Sequence, residues 1–126
     1  MKKKIFNSKS VAQTNAPYSH ATIMDDLIFV SGQVAMDPNT KTLVSGSMED
    51  EVIQTMENLR SLLEEMGSSL ENVLKVTVFL TDMNEFQNFN EAYKKYFPKE
   101  PPARSCVEVG NLPFRASLEI EAIAHI

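Results

Sequence analysis

Arg104 follows Pro101-Pro102-Ala103 in a stretch that otherwise reads as buried, and arginine is seldom buried without a partner. Its guanidinium has two uses there: an ion pair with Glu108, Glu119 or Glu121, or the two-pronged capture of a ligand carboxylate. The residues alone leave both open. Glu119 and Glu121 share one face of the last apolar stretch, where two solvated glutamates are the plain expectation. Closed into an interface, one of them would have a raised pKa and could act as a general acid and base. Cys106 stands two residues from Arg104, on the same strand face. A thiolate nucleophile needs a base or a positive field, and no histidine can be placed beside it. A small apolar filler is the better reading of a lone cysteine.

Other chemistries find little support. His20 and His125, the only histidines, stand far apart, and no Cys/His cluster has metal-ligand spacing, so no metal is expected. None of the 4 glycines makes a phosphate-binding loop, so no nucleotide cofactor is expected either. Ser31-Gly32-Gln33 ends an apolar run; it reads as a bulge or strand end, or as a backbone N–H offered to a ligand. Asn90 interrupts an apolar helical stripe beside Phe89 and reads as a surface residue, with a ligand contact as the alternative. Tyr18, after Ala16-Pro17, is a pocket wall or plain core.

Alternating and helical patterns supply the elements that must hold these groups. From Ile23 to Val34, the apolar runs ATIM and LIFVSGQV flank Asp25-Asp26, a hairpin pattern. A polar loop follows from Asp37 to Gly46. Val52, Met56, Leu59, Leu63 and Met66 recur at steps of four and three, which predicts a helix from Met48 to Met66. Ser47 can cap it, with Asp50 completing a weak capping box, and Gly67 ends it. Val76, Val78 and Leu80 alternate with Lys75, Thr77 and Phe79 in a strand from Val73 to Leu80. A second helix, Asn84 to Tyr96, carries the stripe Phe86, Phe89, Tyr93 and Phe97 and is stopped by Pro98, Pro101 and Pro102. Strands from Arg104 to Val109 and from Ser117 to Ile126 close the chain.

The order strands, helix, strand, helix, two strands implies an α+β domain, with a mixed sheet and both helices on one face. The other face is left uncovered. It is expected to carry Phe79, Cys106 and Ile123 beside Arg104 and Glu119, a mixture that suits an oligomer interface with polar clefts.

At 126 residues, 43% of them hydrophobic, the chain suits one domain over 1–126 with a real core. A net charge of −5 argues against a nucleic-acid partner, since the only positive run is Lys2 to Lys4. One cysteine excludes an internal disulfide. No apolar run is long enough to span a membrane and none follows the N-terminal lysines, so a cytoplasmic location is the default expectation.

The strings APYS (Ala16 to Ser19), FVSGQVAMDP (Phe29 to Pro38), PPARSCVEV (Pro101 to Val109) and LEIEAIA (Leu118 to Ala124) closely resemble the RidA (YjgF/UK114) family, also labelled endoribonuclease L-PSP. So do ENLRSLLEEMGSSLENVLKVTVFLTDM (Glu57 to Met83) and FNEAYKKYF (Phe89 to Phe97), and the resemblance covers nearly the whole chain. It implies a chorismate-mutase-like fold and a homotrimer with sites between subunits. It also implies cofactor-free hydrolysis of enamine and imino acids to keto acids. By motif position, Arg104 would hold the substrate carboxylate, and Glu119 and the backbone carbonyl of Cys106 would position water. Gly32 and Cys106 would offer backbone contacts, and Tyr18, Ser31 and Asn90 would shape the pocket. Ala16, Asn111 and Phe114-Arg115 depart from the common pattern of Gly, Arg and a more polar pair, which bears on substrate preference. Ribonuclease activity and a non-enzymatic ligand-binding or chaperone-like trimer are the competing functions that the resemblance leaves.

Overall fold

The structure is a computed structural model and describes residues 2–126 apart from Ala12 and Thr14. Among these residues six strands and two α-helices follow in the order β1 (Lys4–Phe6), β2 (Ala21–Met24), β3 (Leu27–Gln33), α1 (Met48–Glu65), β4 (Val73–Leu80), α2 (Phe86–Tyr93), β5 (Ala103–Glu108) and β6 (Leu118–His125). They form one sheet with the spatial order β1-β2-β3-β6-β4-β5. Among the described residues only β4 and β5 pair in parallel. β3 and β4 are both antiparallel to β6, so they run parallel to each other with β6 filling the gap between them. Each helix therefore crosses between two parallel strands, and both helices lie on the same face of the sheet.

Local chemistry fixes the ends. Asp25 turns the β2–β3 hairpin in the left-handed region, φ 53°, which aspartate tolerates. The Ser47 hydroxyl accepts from the Asp50 N–H at 3.1 Å, and Glu49, Asp50 and Glu51 place negative charge at the positive end of α1. Gly67 takes φ 81° beyond the other end. There the Ser68 N–H donates to Leu63 O at 2.8 Å and the Gly67 N–H to Glu64 O at 3.1 Å, a pairing that satisfies two terminal carbonyls.

The core is the layer between sheet and helices. Ile28, Val30, Val76, Val78, Leu80, Leu118, Ile120 and Ala124 point into it from the strands, opposite Val52, Met56, Leu59 and Leu63 of α1 and Phe89 and Tyr93 of α2. Burying each of the larger side chains contributes roughly 1.5–3 kcal/mol. The far face of the sheet has no such cover from the described residues. Phe29 and Leu27 keep 43% and 41% of their surface exposed, beside half-buried Ile123 and Phe79.

Three expectations need correction. β1 was not foreseen. The second helix is shorter than its pattern: regular only over α2, with tighter turns at Met83–Glu85 and Lys94–Tyr96. Most consequentially, Arg104 and Cys106 do not share the uncovered face with Phe79, Ile123 and Glu119. In the parallel register Arg104 pairs with Val76 and Cys106 with Val78, both core residues, whereas Phe79 pairs with Glu119. Paired residues share a face, so Arg104 and Cys106 lie on the helix side and Glu119 on the open side. Among the described residues no helix is long and apolar enough to cross a membrane.

Candidate active site

A bulge in β3 builds the first half of the site. Val30 pairs with Ala122 but Gln33 with Ile120, so Ser31 and Gly32 together oppose one residue of β6. The Ser31 hydroxyl donates to Ser19 O at 2.6 Å and the Ser31 N–H to His20 O at 2.9 Å, which ties the segment bearing Tyr18 to the bulge. Gly32 then lies directly against the Glu119 side chain: a Cβ added there would sit 2.5 Å from Oε2. Tyr18, Ser31, Gly32, Pro113, Glu119 and Glu121 line one open depression of about 350 Å³. Burial, and secondarily the charge of Glu121, raises the pKa of Glu119 above the ordinary glutamate value. A carboxyl in this state exchanges protons more readily near neutrality than a solvated glutamate does.

The second half sits on the edge strand β5. The Arg104 guanidinium rests over the rings of Phe86, Phe89 and Tyr93, 5.7, 5.6 and 4.9 Å from their centroids. Among the described residues none of Glu108, Glu119 and Glu121 forms an ion pair with it; Glu108 instead accepts from the Met83 N–H at 2.8 Å. Cys106 is half-buried and packs against the core. Burial pushes its thiol pKa up, and the nearby Arg104 charge only partly opposes this, so the side chain is poorly suited to act as a thiolate. Asn90, expected at the surface, has its Oδ1 buried without a hydrogen-bond partner, as does the Tyr93 hydroxyl. The Tyr93 pKa is pushed up to about 12 by burial, against the opposing charge of Arg104.

The structure thus brings Tyr18, Ser31, Gly32 and Glu119 together, while Arg104 and Cys106 lie on β5 and Asn90 on α2. β4 lies between β5 and β6, so the two halves are roughly 10 Å apart across the sheet, at about 4.8 Å per strand, and point to opposite faces. Three neighbours escaped sequence reasoning. Phe86, Phe89 and Tyr93 read as a core stripe, and only the β4–α2–β5 crossover shows that the stripe lies over Arg104. Among the described residues no group of three or more His, Cys, Asp or Glu could hold a metal ion.

Of the positions that depart from the common pattern, Ala16 O accepts from the Tyr18 N–H at 2.8 Å. Phe114 is 72% exposed and adopts φ 60° beside Pro113 at the rim of the depression. The Asn111 side chain accepts from the Leu112 N–H at 2.9 Å.

The sequence profile of the endoribonuclease L-PSP family matches residues 8–126. A human protein named 2-iminobutanoate/2-iminopropanoate deaminase is 44% identical over 108 residues, 86% of this chain and 79% of that one. The crystal structure of Escherichia coli TdcF with bound serine superposes with a TM-score of 0.91 at 34% identity, over 98% of each chain. That of RidA from an Antarctic Psychrobacter superposes with a TM-score of 0.92 at 32% identity, over 98% of this chain and 99% of that one. With a profile match over nearly its whole length and a Rid-type relative superposing along both chains, this protein belongs to the endoribonuclease L-PSP family, the family of the RidA proteins.

Proposed function

We propose that this protein is a single-domain, chorismate-mutase-like homotrimer that hydrolyses reactive 2-enamine and 2-imino acids, such as 2-aminoacrylate and 2-iminopropanoate, to 2-keto acids and ammonia. The observation that carries the reading is the Glu119 carboxyl, held against Gly32 in a depression with its pKa raised, in a chain 44% identical to a named imine deaminase. The split site explains the need for neighbours. The Glu119 half of one subunit faces the uncovered side, and a neighbour that docks its β5 edge there supplies the Arg104 half.

Arg104 then binds the substrate carboxylate through two parallel hydrogen bonds. Tyr18, Ser31, Gly32 and Asn90 shape the pocket, and the backbone of Cys106 helps to hold a water. That water attacks the electrophilic C2 of the protonated imine, the tautomer through which an enamine also reacts, the C=N pair moves to nitrogen, and Glu119 takes a proton from the water. Glu119 returns a proton to the amine nitrogen of the resulting carbinolamine. The C–N bond breaks, ammonia leaves, and the remaining hydroxyl gives its proton to the Glu119 carboxylate, which passes it to solvent, leaving the keto oxygen. One water is consumed and one ammonia released, and no redox change occurs. Orientation of water and imine can supply several kcal/mol of the barrier reduction. An amino-acid oxidase that generates the imine in solution provides the test: imine decay should be markedly faster with this protein present. Unchanged decay would overturn this reading in favour of a non-enzymatic ligand-binding protein, and cleavage of added RNA at a rate the Glu119→Gln variant loses would replace it with the ribonuclease one.

A further inference from the structure

Arg104 has no ion-pair partner among the described residues, yet three aromatic rings surround it. Its guanidinium lies within 6 Å of three ring centroids, the range in which a ring face attracts a cation. Phe86, Phe89 and Tyr93 form one stripe of α2, which the crossover from β4 lays along the edge strand. Phe89 and Tyr93 are buried with centroids 5.2 Å apart, so the core fixes both. Phe86 is only partly buried and closes the cluster from the rim. A carboxylate neighbour would consume N–H donors and cancel the charge. Ring faces attract the cation without accepting its in-plane N–H groups, so the donor fork stays unspent.

We infer that Phe86, Phe89 and Tyr93 are positioning residues, an aromatic cradle that fixes the plane of Arg104 and reserves its donors for a ligand carboxylate; the inference rests on Arg104 as substrate anchor. Two further features of the helix that carries the cradle fit this role. Asn90 Oδ1 and the Tyr93 hydroxyl are buried without hydrogen-bond partners, and both are neutral groups, so neither competes with an anionic ligand. The Tyr93 phenol, with its pKa pushed up to about 12, stays protonated across the working pH range. The cradle therefore never acquires a negative charge of its own.

Phe86 is the ring to change, because it contributes least to the core. The probe is 2-oxobutanoate, a keto-acid product analogue, titrated calorimetrically into wild type, Phe86→Leu, Phe86→Tyr, Arg104→Ala, Arg104→Lys and the Phe86→Leu/Arg104→Lys double variant. Phe86→Leu should weaken binding about tenfold, and Phe86→Tyr, which keeps the ring, should stay within about twofold of wild type. In the Arg104→Lys background the same Phe86→Leu change should weaken binding by less than about twofold, because an ammonium has no plane to hold. In turnover the Phe86→Leu loss should appear in KM with kcat little changed, since carboxylate anchoring is common to ground and transition states. Melting temperature and oligomeric mass identify the folded preparations, and Phe86→Met repeats the test if Phe86→Leu does not fold. Equal losses in both backgrounds, or no loss in either, would overturn the cradle. Loss of binding in Arg104→Ala with none in Phe86→Leu removes the cradle alone. Unchanged binding in Arg104→Ala removes the anchor reading and the cradle with it.

Discussion

Arg104 and Glu119 serve different moments of the proposed reaction, so their losses should separate. Charged hydrogen bonds contribute roughly 1.5–3 kcal/mol each. Arg104→Ala should therefore lower kcat/KM on 2-iminopropanoate at least about a hundredfold, a loss of roughly 2.7 kcal/mol. Arg104→Lys should fall between that variant and wild type, and both should remain folded oligomers. If Arg104 were instead part of the framework, the alanine variant would lose melting temperature or mass along with activity. Glu119→Gln should lower kcat by about a hundredfold or more, the scale of a lost general base. Wild-type kcat should fall as pH drops through a pKa above the ordinary glutamate range, because Glu119 must start deprotonated. Stability should move the other way. A carboxyl whose pKa is raised on folding stabilises the fold below its unfolded pKa, and that contribution is lost as pH rises through the folded pKa. Glu119→Gln should accordingly melt higher than wild type at neutral pH, with the difference vanishing on acidification below the ordinary glutamate range. A lower melting temperature for Glu119→Gln at neutral pH would contradict the desolvated state assigned to this residue.

The bulge of β3 is the element that presses backbone against Glu119, and Gly32→Ala tests it. A methyl there must displace the carboxyl, whose Cδ would lie 2.6 Å from it. Gly32→Ala should fold but lose at least about tenfold in kcat, since small displacements of a catalytic group cost that much or more. Ser47→Ala offers the converse case. Removing the cap of α1 should cost about 1 kcal/mol, or a few degrees of melting temperature, with activity per folded molecule unchanged. At this scale the sequence was readable where one period dominated. The stripe and cap of α1 appear where the pattern puts them, and β4 alternates as written. β1 was hidden because Lys4, Ile5 and Phe6 form too short a run to show alternation. The face of β5 was hidden for another reason. On this edge strand Arg104 and Cys106 are half-buried while Ser105 and Val107 are exposed, so polar and apolar residues occur on both faces. Its phase is set only by the register against β4, a long-range pairing that local pattern does not encode. Asn90 was misplaced on the surface for a similar reason, because its burial depends on packing across elements and not on its own helix.

At the scale of the whole molecule, the uncovered sheet face is the surface on which the proposed trimer would assemble. Light scattering after size exclusion should give about three chain masses, and Phe29→Glu, which puts a charge into that face, should give a monomer without imine hydrolysis. A monodisperse, active monomer would dispose of the shared site. The separation of Glu119 from Arg104 on opposite faces of one sheet would have a consequence for inheritance within the proposed trimer. No subunit would own a complete site, so a damaged copy would injure a neighbour and could also be rescued by one. Arg104→Ala and Glu119→Gln, each inactive alone, should regain activity when unfolded and refolded together. In a random mixture about a quarter of the interfaces would join an intact arginine to an intact glutamate, so roughly a quarter of wild-type turnover should return.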